Sequence, residues 1–92
     1  MRLALAERFR KDVRDLGAAE RAATFEAILS LPKALGAPHE RAGLSLRKLH
    51  ARWIWEARIG LSVRIVFLLD EETIVLVRAG SHDDVRRYLK SL

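Results

Sequence analysis

The sequence predicts an α+β domain, in which a short N-terminal strand, an α-helical hairpin packed on an antiparallel sheet and a short C-terminal helix follow one another. Two observations lead to this prediction. Apolar residues recur at helical spacing in the first third of the chain, and after residue 45 the pattern becomes extended and rich in β-branched and aromatic residues. The length of 92 residues predicts a single domain, residues 1–92, that builds one layer of helices on one sheet.

The first third of the chain predicts one strand and two helices. Leu3 and Leu5 alternate with polar or small residues, as in a short strand. Helical spacing then predicts a first helix over residues 6–16, and a second helix that ends near Leu31 because Pro32 interrupts its hydrogen-bond ladder. The apolar stripe of the second helix comprises Ala19, Ala22, Phe25, Ile28 and Leu29.

A loop of about ten residues, marked by Gly36, Pro38 and Gly43, precedes a three-stranded meander. The predicted strands are Leu46–Ile59, Ser62–Asp70 and Thr73–Ala79. Their short connections, at Gly60 and at residues 70–72, imply antiparallel pairing. The predicted sheet consists of this meander and the first strand.

Alternation along the strands predicts which side chains share a face of the sheet. Trp53, Trp55 and Ala57 are predicted to face the helices, which favours core packing of the two indoles over base stacking. The opposite face carries Glu56, Arg58 and Arg64, and Arg78 can join them. The sequence therefore predicts a cluster of guanidinium groups on one side of the sheet.

The last segment predicts a short helix with a capping box, in which Ser81 is the N-cap and Asp84 the third helical residue. Asp83 and Asp84 are interpreted as first-turn acids that complement the helix dipole. His82 takes the first helical position, where the helix dipole disfavours imidazolium and the neighbouring carboxylates favour it. Such a balance suits a proton carrier, although an exposed histidine beside a cap has no need of a function.

Composition limits the classes of function. The chain has 17 basic and 12 acidic residues, a net charge of +5, and 13 of the basic residues are Arg, which favours a polyanionic or acidic partner or simply reflects a GC-rich genome. It contains no cysteine, and His39 and His50 have no ligand spacing, so the sequence predicts neither a metal site nor a cofactor. No apolar stretch approaches the length of a membrane span, and the predicted location is the cytoplasm.

The order of these elements, together with several short segments, resembles the RelE/ParE superfamily of bacterial type II toxins over nearly the whole chain. The matching segments are Phe9 to Leu16, Leu44 to Leu49, Trp55 to Ile59, Val63 to Phe67 and Ala79 to Asp84. Each is an ordinary strand or helix pattern, and the match lies in their order and spacing. The resemblance implies a RelE-like fold, a cognate antitoxin as partner and toxic activity in the cytoplasm.

In the RelE-like and YoeB-like branches, this resemblance implies cleavage of messenger RNA in the ribosome without metal. By position, Arg64, Arg58, His82 and Tyr88 match residues of the family's catalytic set. Further phosphate or RNA contacts would come from Arg78 and Lys48. The implied reaction needs a base, an acid and positive charge around the phosphorus.

The chain also departs from these branches. RelE-like enzymes have lysines where this chain has Ile54 and Glu56, and neither Glu40 nor Glu56 aligns firmly with the glutamate of YoeB-like enzymes. Glu56 is therefore either the general base or half of a structural ion pair. Tyr88 either acts in the site or packs its ring on the sheet. The alternative functions are a ParE-like inhibitor of DNA gyrase, which needs no catalytic set, and a degenerate member that only binds its antitoxin.

Overall fold

The computed structural model describes residues 1–36, 46–50 and 54–92 of the chain. The predicted loop with Pro38 and Gly43 and the predictions on His39, Glu40 and Trp53 lie outside these ranges. The elements are β1 (Arg2–Leu5), α1 (Glu7–Arg14), α2 (Ala18–Gly36), β2 (Arg47–His50), β3 (Ile54–Ile59), β4 (Val63–Asp70), β5 (Thr73–Gly80) and α3 (His82–Lys90). None of the helices in this part of the chain combines the length and the apolar character of a membrane span.

The described strands form one five-stranded sheet in the order β1-β5-β4-β3-β2, and the predicted α+β fold is confirmed. Two details differ from the prediction. β1 pairs with β5 in parallel, so the sheet is mixed, whereas β2 to β5 pair antiparallel. The predicted single strand Leu46–Ile59 is wrong, because its two ends are separate strands, β2 and β3, that pair with each other.

The face of the sheet that α1 and α2 cover, called the hairpin face below, holds the main core. Phe9 and Val13 of α1 and Leu31 of α2 pack there on the apolar rows of the strands. The buried strand residues of this core are Ala57, Ile65, Phe67, Ile74, Leu76 and Ala79, and Trp55 packs against them. The rings of Trp55 and Phe67 stack with centroids 6.3 Å apart, so the predicted core role of Trp55 is confirmed.

The opposite face, called the α3 face, is covered only in part. Val85 of α3 packs on Ile54 and Val66, and Tyr88 and Leu89 of the same helix join this smaller cluster. The chain thus places helices on both sides of the sheet, instead of the single helix layer that its length predicts. Of the described helices, α3 is the one that packs on this face.

The helix α2 is longer than predicted and turns a different side to the core. It continues through Pro32 to Gly36, because Leu31 and Ala34 are buried on either side of the proline and offset the backbone hydrogen bond it removes. Ile28 is buried as its place in the apolar stripe implies, but Phe25 is 45% and Leu29 75% exposed. Thr24, Ala27 and Leu31 take the core positions instead.

An arginine organises the junction between the two N-terminal helices. The guanidinium of Arg21 donates hydrogen bonds to the carbonyl oxygens of Val13, Arg14 and Leu16, at 3.2, 3.1 and 2.9 Å. Val13 and Arg14 are the last two residues of α1 and Leu16 follows them, in the region where a helix end leaves carbonyl oxygens short of partners. Arg21 therefore both ends α1, two residues earlier than predicted, and fixes α2 against it.

Candidate nucleic-acid interface

On the α3 face, the strand register arranges side chains in rows that cross the sheet, because directly paired residues point to the same side. The first row is apolar and lies under α3: Ile54, Leu68 and Val75. The second row consists of Arg47, Glu56, Val66 and Arg78. The third row consists of Arg58, Arg64 and Gly80. The prediction that Glu56, Arg58, Arg64 and Arg78 share one face is confirmed by this register.

Arg58 and Arg64 stand directly opposite each other in the third row. Gly80, the third member, has no side chain, so nothing from β5 covers Arg64 in this row. A side chain at position 80 is excluded, because a Cβ there would lie 2.8 Å from a carboxylate oxygen of Asp84. We call the surface formed by Arg47, Arg58 and Arg64 around Glu56 the arginine surface.

Glu56 is the buried centre of the arginine surface. Its residue is only 5% exposed, and its Oε1 accepts a hydrogen bond of 3.1 Å from Nη1 of Arg64. This contact is the ion pair that the sequence allows for Glu56, and it leaves the second carboxylate oxygen, Oε2, without a hydrogen bond from any described residue. Arg58 is exposed and forms no ion pair with any residue that the structure describes.

Arg78 joins the same face but is bound elsewhere. Its Nε donates to Oδ2 of Asp12 in α1 at 2.7 Å, and the backbone amide of Ala79 donates to the same oxygen at 3.0 Å. β1 pairs with β5 only as far as Leu76, so Asp12 takes the place of a strand partner for the end of β5. The Arg78 guanidinium also lies over the Tyr88 ring, with Cζ 5.6 Å from its centroid.

Tyr88 is half-buried and packs its ring in the smaller core under α3. This arrangement is the packing alternative that the sequence left open. The structure thus divides the predicted site residues into two groups. Arg58 and Arg64 lie side by side, the first exposed and the second largely buried against Glu56, whereas Arg78 and Tyr88 contact each other at the junction of α1, β5 and α3.

His82 begins α3 and is exposed. The paired Cα atoms of Arg64 and Gly80 are about 5 Å apart, and two residues span at most about 7 Å, so the Cα of His82 lies within about 12 Å of that of Arg64. An arginine and a histidine side chain together can bridge such a separation. The start of α3 therefore lies close to the third row of the α3 face.

The start of α3 is fixed by the predicted capping box, which is confirmed. The Ser81 hydroxyl accepts a hydrogen bond from the amide of Asp84 at 3.1 Å, and Oδ2 of Asp84 accepts from the Ser81 amide at 3.0 Å. The hydrogen bond from the Ser81 amide, that from the Ser81 hydroxyl and the charge of Arg87 lower the pKa of Asp84 below its ordinary value. Asp84 is thus a structural carboxylate that positions His82.

Lys48 does not join the site. It pairs with Trp55, so its side chain leaves the sheet on the hairpin face, and the predicted contact of Lys48 with phosphate or RNA stays a prediction for that other face. Its neighbour Arg47 pairs with Glu56 and belongs to the arginine surface. Leu46 packs in the core of the hairpin face and Leu49 in the smaller core under α3. Alternation along β2 therefore places Arg47 on the same face as Leu49.

A cleft of about 470 Å³ lies at the edge of the sheet between α1 and the end of β5. Four carboxylates and two guanidinium groups line it, those of Asp12, Asp15, Glu20, Asp84, Arg8 and Arg78. The excess of negative charge disfavours a polyanion, so the cleft is less suited to RNA than the arginine surface is. Among the described residues no three His, Asp or Glu side chains are grouped as metal ligands.

Solved structures with the same fold are toxins of toxin–antitoxin systems. A copper-bound mutant toxin from Helicobacter pylori is 25% identical, with a TM-score of 0.69 and 92% of this chain and 98% of that chain covered. The toxin–antitoxin complex RelBE from E. coli gives 20% identity, a TM-score of 0.65 and coverage of 87% and 94%. A mutant of YafQ from E. coli gives 16% identity, a TM-score of 0.68 and coverage of 92% and 98%. Searches with protein-family models and against curated proteins found no match.

These likenesses extend over nearly the full length of this chain and of each compared chain, so the chain has the fold of small toxins from toxin–antitoxin systems. RelE structures from E. coli and Methanococcus jannaschii have this fold, so the RelE-like fold that the resemblance implied is confirmed.

Proposed function

We propose that this protein is the toxin of a type II toxin–antitoxin pair and that it acts as a metal-independent, ribosome-dependent endoribonuclease on messenger RNA. The observation that carries the proposal is the direct pairing of Arg58, which is exposed, with Arg64 on the α3 face of the sheet. Like charges opposite each other destabilise a sheet, and Glu56 pairs only with Arg64, so the needs of the fold do not account for the charge of Arg58. A bound phosphodiester would compensate that charge.

The proposed reaction is an internal transesterification of RNA. The ribose 2′-oxygen attacks the adjacent phosphorus as it loses its proton to a base, and the 5′-oxygen leaves as it gains a proton from an acid. The products are a 2′,3′-cyclic phosphate and a 5′-hydroxyl, and no cofactor enters the balance. Because negative charge accumulates on the phosphate oxygens in the transition state, fixed cations beside them contribute most to the rate.

The side chains of this chain take the following roles in the proposal. Arg58 and Arg64 hold the scissile phosphate and stabilise its transition state, since a guanidinium donates two parallel hydrogen bonds to phosphate oxygens. His82, exposed at the start of α3, transfers a proton. The remaining carboxylate oxygen of Glu56, Oε2, is the one group on the arginine surface that can act as base. Arg78 and Tyr88 orient the end of β5 and the RNA beside it.

The proposed partners are a cognate antitoxin, messenger RNA and the ribosome. The E. coli RelBE structure is a complex of a toxin with its antitoxin, which supports an antitoxin partner for this chain. The net charge of +5 favours acidic or polyanionic partners of this kind. Toxin activity on messenger RNA would be exerted in the cytoplasm.

The test is controlled expression in a bacterial host, followed by mapping of transcript ends. The wild-type chain is expected to stop growth and to produce new 5′-hydroxyl ends within coding regions. Arg64→Ala and Arg58→Ala are each expected to lower cleavage about 100-fold, the usual loss when one transition-state hydrogen-bond donor is removed. Arg10→Ala is the matched control, because Arg10 is an exposed arginine of α1, remote from the arginine surface.

Growth arrest with intact messages and DNA damage would replace this proposal by ParE-like inhibition of gyrase. Full toxicity of both Arg64→Ala and His82→Ala would refute the assigned residues. Absence of any growth effect from the wild-type chain would leave the reading of a degenerate member that binds only its antitoxin.

A further inference from the structure

Glu56 stands among three arginines and binds only one of them. Arg47 faces it across the β2–β3 pair, Arg58 follows it by two residues on the same face of β3, and Arg64 donates the hydrogen bond of 3.1 Å. Arg47 and Arg58 form no ion pair within residues 1–36, 46–50 and 54–92. The surface therefore holds three positive charges and one negative charge.

The buried carboxylate is only partly satisfied. Oε1 accepts from Arg64, whereas Oε2 accepts no hydrogen bond from any described residue, although the Glu56 side chain is only 7% exposed. An anionic oxygen at a buried position normally has partners, because its desolvation costs free energy. A purely structural ion pair does not explain why Oε2 of Glu56 accepts no hydrogen bond from a described residue. It also does not explain why the neighbouring Arg47 and Arg58 have no ion pair among the described residues.

We infer that Glu56 is an internal counter-ion that competes with the substrate phosphate for Arg64 and so sets the affinity of the arginine surface for RNA. The inference rests on the proposed function in so far as RNA phosphates are the anions bound there. In the free protein, Glu56 holds the Arg64 guanidinium. In the complex, a phosphodiester on Arg58 and Arg64 releases this contact, because a second anion so close to Glu56 is repelled by it.

This competition has a measurable consequence for binding. When Glu56 loses its charge, Arg64 becomes available and the repulsion of the phosphate disappears. Glu56→Gln, which keeps the shape of the side chain, is expected to raise the affinity for a short single-stranded RNA about tenfold at low salt. Each additional phosphate contact also makes the plot of log K against log salt concentration steeper by about 0.7 for single-stranded nucleic acid.

The experiment measures binding of a fluorescent oligonucleotide of about ten nucleotides, with uncleavable 2′-O-methyl ribose, at four salt concentrations. Glu26→Gln is the matched control, because it changes the net charge equally on the exposed side of α2. The inference expects higher affinity and a steeper slope for Glu56→Gln, little change for Glu26→Gln, and loss of the gain when Arg64→Ala is added to Glu56→Gln. Equal gains in the two glutamine variants would mean that only net charge matters and would overturn it.

Unchanged or weaker binding by a folded Glu56→Gln variant would also overturn the inference. Glu56→Asp, which retains the charge but draws it back from Arg64, is expected to give a smaller gain in the same direction. Unfolding of both variants contradicts the inference as well, because a contact that the ligand displaces cannot be required for the fold.

The outcome is independent of whether the chain cleaves messenger RNA. A gain in oligonucleotide affinity without cleavage in cells keeps the counter-ion role and rejects the proposed enzyme. Cleavage in cells with no gain in affinity keeps the enzyme and rejects the counter-ion role.

Discussion

The two faces of the sheet differ in what accounts for their side chains. The hairpin face is mostly apolar, with Lys48 of β2 as an exception, and residues such as Phe67 and Leu76 are fully buried under α1 and α2. The α3 face is apolar beneath α3 and becomes cationic next to the start of that helix, where Arg58 lies opposite Arg64. Burial explains the apolar pattern of the hairpin face, whereas the α3 face places two arginines opposite each other, of which Glu56 pairs with one. This difference is why we propose the α3 face as the functional one.

The largest expected effect contrasts these faces directly. Phe67 is 0% exposed and stacks on Trp55, so Phe67→Ala should lower the free energy of unfolding by about 3–5 kcal/mol. Arg58→Ala should change it by less than about 0.5 kcal/mol, and relief of its repulsion with Arg64 can make the change favourable. Urea unfolding followed by circular dichroism measures both. A destabilisation above 2 kcal/mol in Arg58→Ala would assign the arginine a structural role and break the comparison.

The second prediction applies the same contrast to two neighbouring residues of α2. Ile28 is 4% exposed and lies in the core of the hairpin face, whereas Leu29 is 75% exposed. Ile28→Ala should lower the free energy of unfolding by about 2–4 kcal/mol, and Leu29→Ala by less than about 0.5 kcal/mol. Unfolding in urea gives both values from two chains of identical mass. Equal losses would mean that a partner covers Leu29 in solution.

The apolar stripe of α2 shows why the sequence alone does not predict which side of this helix is buried. Phe25 and Leu29 have helical spacing with Ala22, as a core stripe does, yet the helix buries the side that carries Thr24 and Leu31. Apolar residues occur on both sides of this helix, so their periodicity cannot choose between them. The predicted end of α2 near Leu31 is wrong, because the burial of residues beyond Pro32 outweighs the one backbone hydrogen bond that the proline removes.

Strand alternation, by contrast, was sufficient for most of the site. It placed Glu56, Arg58 and Arg64 on one face, because a period of two leaves no other choice within an unbroken strand. Simple alternation does not hold along β5, because an extra residue at Val77 shifts the register with β4, so that Arg78 lies on the α3 face although Ile74 and Leu76 face the hairpin. Contacts between distant segments, such as that of Asp12 with Arg78, have no local pattern and were not predicted.

The third prediction concerns the helical hairpin that builds the stable face. Arg21 donates to three carbonyl oxygens at the end of α1, so Arg21→Ala should lower the free energy of unfolding by about 2 kcal/mol. Arg21→Lys keeps the positive charge near the helix C-terminus but loses the planar fork, and should recover less than half of this loss. Thermal and urea unfolding measure the difference. Full recovery by lysine would mean that charge, and not the directed hydrogen bonds, is what α1 requires.

The smallest expected effect lies at the start of α3, where the two faces meet. Asp84→Ala removes the carboxylate of the capping box and should lower the free energy of unfolding by about 1 kcal/mol at pH 7. The pKa of Asp84 is lowered in the folded protein, so its stabilising contribution is fully present above the unfolded value of about 3.9 and is lost as the pH falls through the folded value. The stability difference between wild type and Asp84→Ala should therefore be constant from pH 7 to about pH 5 and shrink as the pH falls below about 4. Urea midpoints of both chains between pH 7 and pH 2.5 test this, because the other carboxylates are common to both. A difference that persists unchanged at the acid end would show that the Ser81 cap depends on the packing of Asp84 beside Gly80 and not on its charge.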